Sequence, residues 1–354
     1  MTIPNKRKSK SLKHPIRVGL PRALIYYKFS EMWISFFEEL GAKVIISPKT
    51  TKKIKEDSVR NSPDEDCYST KLYFGHVMAI KDQVDYLFIP RYGGWKKDLV
   101  GCPKFIGLAE VLQSMHPDLP EIIKPHFNRA KGKDKKINLI TKAFGVGRKF
   151  TKNPFKIIKA IRKALREYKL HLQNLIIDEK NLHRWEQSEI ILNDFPIFKE
   201  NERRLKIALV GHSYVLNDPF SSLNIRLILQ EYGVDIITSE QMPRKIVEKQ
   251  MEELGYNLYF DYEREILGTV MYFLENMTVD GIIHLMIFSC GPDSVAGEMA
   301  ARLSTKKPDI PLLQLVFDEL TAEAGMRTRI EAFVDMLRRS AAEQAVFLTA
   351  SVHI

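Results

Sequence analysis

The chain has 354 residues, 45% of them hydrophobic and 28% charged, and a net charge of +10. This length exceeds one simple core and suits two domains, and the composition excludes a disordered or fibrous protein. No apolar run reaches 18 residues, and the start, MTIPNKRKSKSLKHP, is basic without the apolar stretch of a secretory signal; no membrane span is expected, and the cytoplasm is the expected compartment. Residues 1–17 carry six Lys/Arg and no acid, and residues 124–180 carry 17 Lys/Arg against 4 acids, a net of +13. The basic character therefore belongs to a tail, read as disordered over 1–14, and to one internal segment. That segment is either an electropositive surface for an anion (a nucleotide, the phosphates of coenzyme A, nucleic acid, an acidic protein) or a solvated helical face.

In chain order, Ile16–Leu20 (IRVGL) reads as a short buried strand, followed by a helical pattern from Pro21 to Leu40 that Gly41 ends. Ala42–Ser47 and Asp85–Pro90 are further strands. The segments between them are long enough for crossover helices, so the strands should be parallel. Residues 15–123 form the first α/β domain in this reading. Residues 124–204 show no strand rhythm. Phe155, Ile158, Ile161, Leu165, Tyr168, Leu172 and Leu175 recur at helical spacing and predict an amphipathic helix whose Lys and Arg residues take the other face, in an insertion between domains.

The α/β pattern then restarts over 205–354. Lys206–Val210 is a strand, Pro219–Tyr232 a helix ended by Gly233, and Val234–Thr238 a strand. Helices are predicted around Pro243–Leu254 and Tyr262–Asn276. Gly281–Phe288 (GIIHLMIF) is apolar on both faces except for His284, as central parallel strands are. A helix over Ala296–Leu303, a strand over Pro311–Phe317 and a helix over Ala324–Arg339 complete a second unit with the order of the first. The predicted fold is α/β, two flavodoxin/Rossmann-like domains with parallel sheets plus a basic helical insertion.

Three cysteines, Cys67, Cys102 and Cys290, stand beyond strands or beside helix starts. An odd count with no close pair argues against a disulfide framework in a reducing compartment and leaves metal ligands or inert core thiols. Ligands of open α/β sheets bind beyond the carboxyl ends of the strands. Cys290 lies there in SCGPDS, where Gly291 permits close backbone approach and Asp293 or Ser294 can cap the next helix. Cys102 opens CPKFIGL, and Cys67 follows three acids in DEDCYSTKLYFGHV. The three converge if the domains face each other across a cleft. Zinc would usually need a fourth protein ligand, for which His212 in VGHSY is the best candidate, and the paired-cysteine knuckles of structural zinc sites are absent. His284 reads as a core histidine. Thiolates also suit iron–sulfur clusters, and three of them around four irons leave one iron open. VGHSY and PRYGGW, with Arg91, are strand-end turns near the same rim. Asp318 and Glu319 in FDELTAEAGMRTR place acids at a strand end, suited to a polar substrate group, to Arg327 and Arg329, or to capping. No GxxxxGK[ST] phosphate loop or GxSxG elbow occurs, and GVG at 145–147 follows no strand.

The segments RVGLPRALIYYKFSEMWISFFEELGAKVIISP, DEDCYSTKLYFGHV, YLFIPR, CPKFIGL, HLMIFSCGPDS and DELTAEAGMRTRIEAFVDML together resemble the acyl-CoA dehydratase activase-related proteins of the benzoyl-CoA reductase and 2-hydroxyglutaryl-CoA dehydratase superfamily, over nearly the whole chain. The resemblance implies a 4Fe-4S cluster held by Cys67, Cys102 and Cys290 in the cleft between two flavodoxin-like domains. It implies low-potential electron transfer primed by a separate ATP-hydrolysing activase, which fits the missing phosphate loop. It further implies 2-hydroxyacyl-CoA dehydratase or aryl-CoA reductase-like chemistry on a CoA thioester, with a non-catalytic relay or maturation partner of an activase as the alternative. A homo- or heterodimer is compatible with it, and no nucleic-acid partner is expected. Double-cubane relatives use about twice as many cysteines, so this chain suits one cubane.

Overall fold

The computed structural model describes residues 14–94, 99–127, 135–187, 204–255 and 257–351; the tail expected over residues 1–14 falls almost wholly outside them. The first half runs β1 (Arg17–Leu20), α1 (Tyr26–Glu39), β2 (Lys43–Ile46), α2 (Lys52–Asn61), α3 (Tyr68–Met78), β3 (Tyr86–Phe88), β4 (Arg91–Tyr92), α4 (Pro103–Met115), β5 (Glu121–Ile123) and β6 (His126–Phe127). Three helices follow, α5 (Lys135–Gly147), α6 (Pro154–Leu175) and α7 (Glu179–Gln187). The second half runs β7 (Leu205–Gly211), α8 (Ser213–Asn217), α9 (Ile225–Glu231), β8 (Val234–Thr238), α10 (Arg244–Glu253), α11 (Asp261–Asn276), β9 (Gly281–Ile287), α12 (Gly291–Thr305), β10 (Leu312–Phe317) and α13 (Glu323–Ser351).

Each half builds one four-stranded sheet, ordered β2-β1-β3-β5 and β10-β9-β7-β8, and every pairing is parallel. Counted within its own half, each sheet has the order second-first-third-fourth. This is the doubly wound arrangement that opens a crevice between the first and third strands, beyond their carboxyl ends. The fold therefore matches the expected pair of flavodoxin/Rossmann-like units. Strands β7 and β9 are buried along nearly their whole length, which explains their continuous apolar runs. Gly41 (φ 85°) and Gly233 (φ 64°) take the left-handed conformation after α1 and α9, as the sequence pattern suggests.

Several expectations are corrected. Strand β5 completes the first sheet, yet it has only three residues, Glu-Ile-Ile, too few to register as a strand pattern. The two-residue β6 lies inside the segment read as strand-free and pairs with β4. Helix α9 starts at Ile225 instead of Pro219, because residues 219–224 form a turn with Leu223 and Asn224 at positive φ. Helix α6 is amphipathic, but its buried face is Ile157, Ala160, Ile161, Ala164 and Tyr168. Phe155, Ile158 and Leu165 point outward, since the small Ala160 and Ala164 allow close approach to α1. Among its cations, Lys159 and Lys163 pair with Glu39 at 2.6 and 3.3 Å.

One hydrophobic core draws residues from both halves, and Cys67 and Cys290 belong to it. Polar links cross between the halves as well. Lys28 on α1 pairs with Glu265 on α11 at 2.8 Å and sits 4.4 Å from the Tyr262 ring centre. Lys71 on α3 pairs with Glu319 at 2.7 Å. A third link is a buried chain of hydrogen bonds. Thr50 Oγ1 donates to Asp218 at 2.6 Å, so it must accept from His76 Nε2, 3.0 Å away. Nδ1 of that neutral ring then accepts from Ser47 Oγ at 2.9 Å, and Ser47 Oγ in turn accepts from the Arg22 N–H at 2.7 Å. Helix α3 can approach α2 because residue 75 is glycine: a Cβ there would lie 2.3 Å from the Ile54 carbonyl oxygen. His76 thereby fixes α3, the helix that begins just after Cys67.

Candidate metal centre

Each of the three cysteines is the residue immediately before a helix. Cys67 precedes α3, Cys102 precedes α4 and Cys290 precedes α12. A helix N-terminus carries partial positive charge and free N–H groups that favour an anionic sulfur, but burial outweighs them at Cys102 and Cys290. Proline at the start of α4 and α12 suits the first helical turn, where its missing N–H costs nothing. Ser289, at φ 59°, turns the chain sharply from β9 into Cys290; a left-handed non-glycine residue here holds local strain of the kind concentrated at functional sites.

Local ties draw the cysteine loops together. Asp66, next to Cys67, pairs with Lys104, two residues past Cys102. Upstream of Cys102, Val100 bridges to Phe260 of the second half, with the Val100 N–H donating to the Tyr259 carbonyl at 2.8 Å. All three thiols act electrostatically on Tyr214. Burial holds its hydroxyl well above the ordinary phenol range, and the charges of Cys290, Cys67 and Cys102 push it further the same way. Burial likewise raises the Cys102 thiol to about 11, with Cys67 and Glu263 adding to the shift and the Lys104 and Phe105 amides opposing it. The Cys290 thiol is also raised, first by burial and then by Asp293, with Cys67 contributing. The Cys102 and Cys290 thiols thus stay protonated at neutral pH until a cation displaces the proton.

Two further donors stand beside them. His212, at the end of β7, places Nε2 4.0 Å from Cys290 Sγ and 3.9 Å from Glu263 Oε1. Ligand atoms of His212, Glu263 and Cys290 all lie within 4.8 Å of one another, and all three residues are buried. The imidazole stacks on Tyr214, with centroids 4.9 Å apart, and meets the edge of Tyr262 at 5.3 Å. Burial lowers its pKa and keeps it neutral. Burial raises Glu263 to about 8, assisted by Asp293. Asp293 is fully buried. It accepts from the Ile287 N–H at 3.1 Å and from His284 Nε2 at 3.1 Å; against the opposing effect of burial, these partners and His212 hold it below the usual carboxylate range.

The sequence-predicted residues therefore divide. Cys290 and His212 come together, with Glu263 beside them, and the Cys67 and Cys102 loops are tied by the Asp66–Lys104 pair. Gly291 sits at the start of α12, and a Cβ there would meet no atom within 4 Å. Asp293 and Ser294 do not cap α12: Asp293 turns inward, and Ser294 Oγ donates back to the Cys290 carbonyl at 2.8 Å. Arg91 faces α4, its Nε donating to the Ile106 carbonyl at 3.0 Å. Asp318 closes its own turn, accepting from Leu320 N–H at 2.9 Å and Thr321 Oγ1 at 2.6 Å, while Arg327 pairs with Glu231 instead. Glu319 is taken by Lys71. Sequence reasoning missed Glu263, because a glutamate in the first turn of a helix reads as a solvated complement to its dipole. His284 is a core histidine, as expected, with the added role of fixing Asp293.

The profile of the 2-hydroxyglutaryl-CoA dehydratase D-component matches residues 150–337, and that of the CoA enzyme activase uncharacterised domain matches residues 17–242. The chain belongs to the 2-hydroxyglutaryl-CoA dehydratase D-component family. The two matches overlap across α6 to β8, so this D-component relative carries both profiles on one continuous pair of α/β units. A search of curated proteins finds no match. Among the described residues of this family member, no helix is long and apolar enough to cross a membrane.

The donor set suits a thiolate-held cluster. The three thiols come from two halves of the molecule, each at a helix N-terminus that would offset the negative charge of a sulfide-rich group. Two uncharged groups complete the pocket wall. Among the described residues, His212, Glu263 and Cys290 are the group whose ligand atoms all lie within 4.8 Å of one another, an arrangement that also suits a single metal ion.

Proposed function

We propose that this protein is a cytoplasmic 4Fe-4S protein in which Cys67, Cys102 and Cys290 hold the cluster. Its task is ATP-primed, low-potential electron transfer in 2-hydroxyacyl-CoA dehydratase or aryl-CoA reductase-like chemistry. What supports this reading is that three thiols stand at helix starts, that all three act on Tyr214, and that the Cys67 and Cys102 loops are tied by Asp66 and Lys104. When bound, such a cluster supplies a one-electron carrier of low potential. The protein's own residues bury it, exclude water through the Tyr214, Tyr262 and Phe105 aromatic wall, and orient its donors through the Asp66–Lys104 and Asp293–His284 pairs.

In this reading the electron source is an ATP-hydrolysing activase, in keeping with the match to the CoA enzyme activase uncharacterised domain. Exposed Phe288, Val295 and Leu320, flanking the Cys290 loop, offer an apolar rim where such a partner can approach the buried site. The test is reduction of the reconstituted protein by an activase of this superfamily with dithionite. Cluster bleaching that requires both activase and Mg-ATP supports the reading. Bleaching at the same rate without either component contradicts the ATP-primed role.

A further inference from the structure

Three metal-ligating side chains of the second half meet without help from the first. Strands β7 and β9 lie side by side, and the order of their sheet opens its crevice between them. His212 follows directly after β7, Cys290 directly precedes α12, and Glu263 stands in the first turn of α11. From His212 Nε2 it is 4.0 Å to Cys290 Sγ and 3.9 Å to Glu263 Oε1. Neighbouring ligands of a tetrahedral zinc ion stand about 3.3–3.6 Å apart, given bonds of about 2.0–2.3 Å, so these donors need to close in by only a few tenths of an ångström.

The charge of the pocket favours a cation there. Glu263 and Asp293 are 3% and 0% exposed, and among the described residues their ion-pair contacts run to histidines, none to Lys or Arg. Burial keeps the His212 ring neutral. Buried acids without a cation beside them are costly. The imidazole is also held in place, stacked at 13° on Tyr214 and met by the edge of Tyr262, so Nε2 keeps its aim at the other donors. A thiolate, an imidazole and a carboxylate form a zinc set, whereas magnesium and calcium take oxygen ligands.

We infer that His212 Nε2, Glu263 Oε1 and Cys290 Sγ form a binding site for a single zinc ion, filled when the chain holds no cluster. Binding releases the Cys290 and Glu263 protons to solvent and leaves the fourth position of the ion to water. The site goes beyond the cluster reading and does not depend on it. It uses neither Cys67 nor Cys102, and because zinc and cluster share Cys290, each excludes the other.

The experiment takes the full chain, freed of metal by a chelator under reducing, oxygen-free conditions. It is titrated with Zn2+ in competition with a chromophoric chelator and, separately, with Co2+. The expected result is about one zinc bound per chain, and a thiolate-to-cobalt charge-transfer band of the intensity of a single sulfur. Cys290→Ala abolishes the band, and Cys290→Ser, a near-isosteric second variant should the alanine form not fold, greatly weakens zinc binding and abolishes it as well. His212→Ala and Glu263→Gln weaken zinc binding at least about tenfold, while Cys67→Ala and Cys102→Ala bind zinc as tightly as the wild-type chain. A wild-type chain that takes up no stoichiometric zinc, a band of more than one sulfur, or loss of the ion in Cys67→Ala or Cys102→Ala overturns the inference. Iron and sulfide uptake by the same metal-free protein keeps the two readings apart: it requires Cys67 and Cys102, so its failure leaves the zinc site standing, and failure of zinc binding leaves the cluster standing.

Discussion

Replacing Cys290 with alanine is expected to lower the iron bound after anaerobic reconstitution from about four per chain to below one. Cys290 is the only cysteine of the second half, so its loss removes the sole thiolate from one side of the site and leaves Cys67 and Cys102 on the other. Cys67→Ala should have the same effect, since that sulfur acts on both of the others. Cys102 is the least buried of the three, and Cys102→Ala should retain some iron that is quickly lost to air. The fold should survive. Removing one small buried side-chain atom costs on the order of 1 kcal/mol, so the far-ultraviolet circular dichroism of each variant should equal that of the wild-type protein. Full iron retention in Cys290→Ala would show that the converging thiols are inert core residues.

His76→Leu is expected to destabilise the protein by about 1–3 kcal/mol at pH 7 and to flatten its acid sensitivity. The substitution strips partners from the Ser47 and Thr50 hydroxyls and cuts the chain of hydrogen bonds that reaches Asp218 across the two halves. The pH effect follows from the same geometry. His76 is held neutral because burial, and secondarily the charge of Arg22, lowers its pKa from 6.5 to about 3. Between these values the unfolded chain takes up a proton that the folded protein refuses, so stability falls as pH falls. From pH 7 to pH 5 this group alone should remove about 2 kcal/mol, at 1.36 kcal/mol per pKa unit of difference. Urea unfolding at both pH values measures it: the wild-type loss should exceed the His76→Leu loss by about that amount. Equal losses in the two proteins would mean that His76 protonates freely in the folded state.

The sheets were legible from sequence because parallel strands covered on both faces leave continuous apolar runs. Gly281–Ile287 and Val234–Thr238 stand almost where their patterns place them. Edge strand β5 was not legible, since a strand of Glu-Ile-Ile becomes a strand only through its pairing with β3. The face of α6 was misplaced for a related reason. Large apolar residues at helical spacing outweigh alanine in a pattern, yet the packing surface uses Ala160 and Ala164 and leaves Phe155 in solvent. At the site, the cysteines and His212 are visible because each follows a strand or precedes a helix. Glu263 is not visible, and Asp293 is visible only as a candidate cap of the Cys290 loop, because an acid at the start of a helix normally caps it or faces water. Only the tertiary structure turns these two inward, against His284 and His212.

In the proposed function the thiols of Cys67, Cys102 and Cys290 hold one iron–sulfur cubane. Metal and acid-labile sulfide analysis of protein purified without oxygen tests this most directly. The expected result is about four iron and four sulfide per chain. A colourless protein with one zinc per chain and no sulfide would contradict it and assign the site to a mononuclear metal on His212, Glu263 and Cys290.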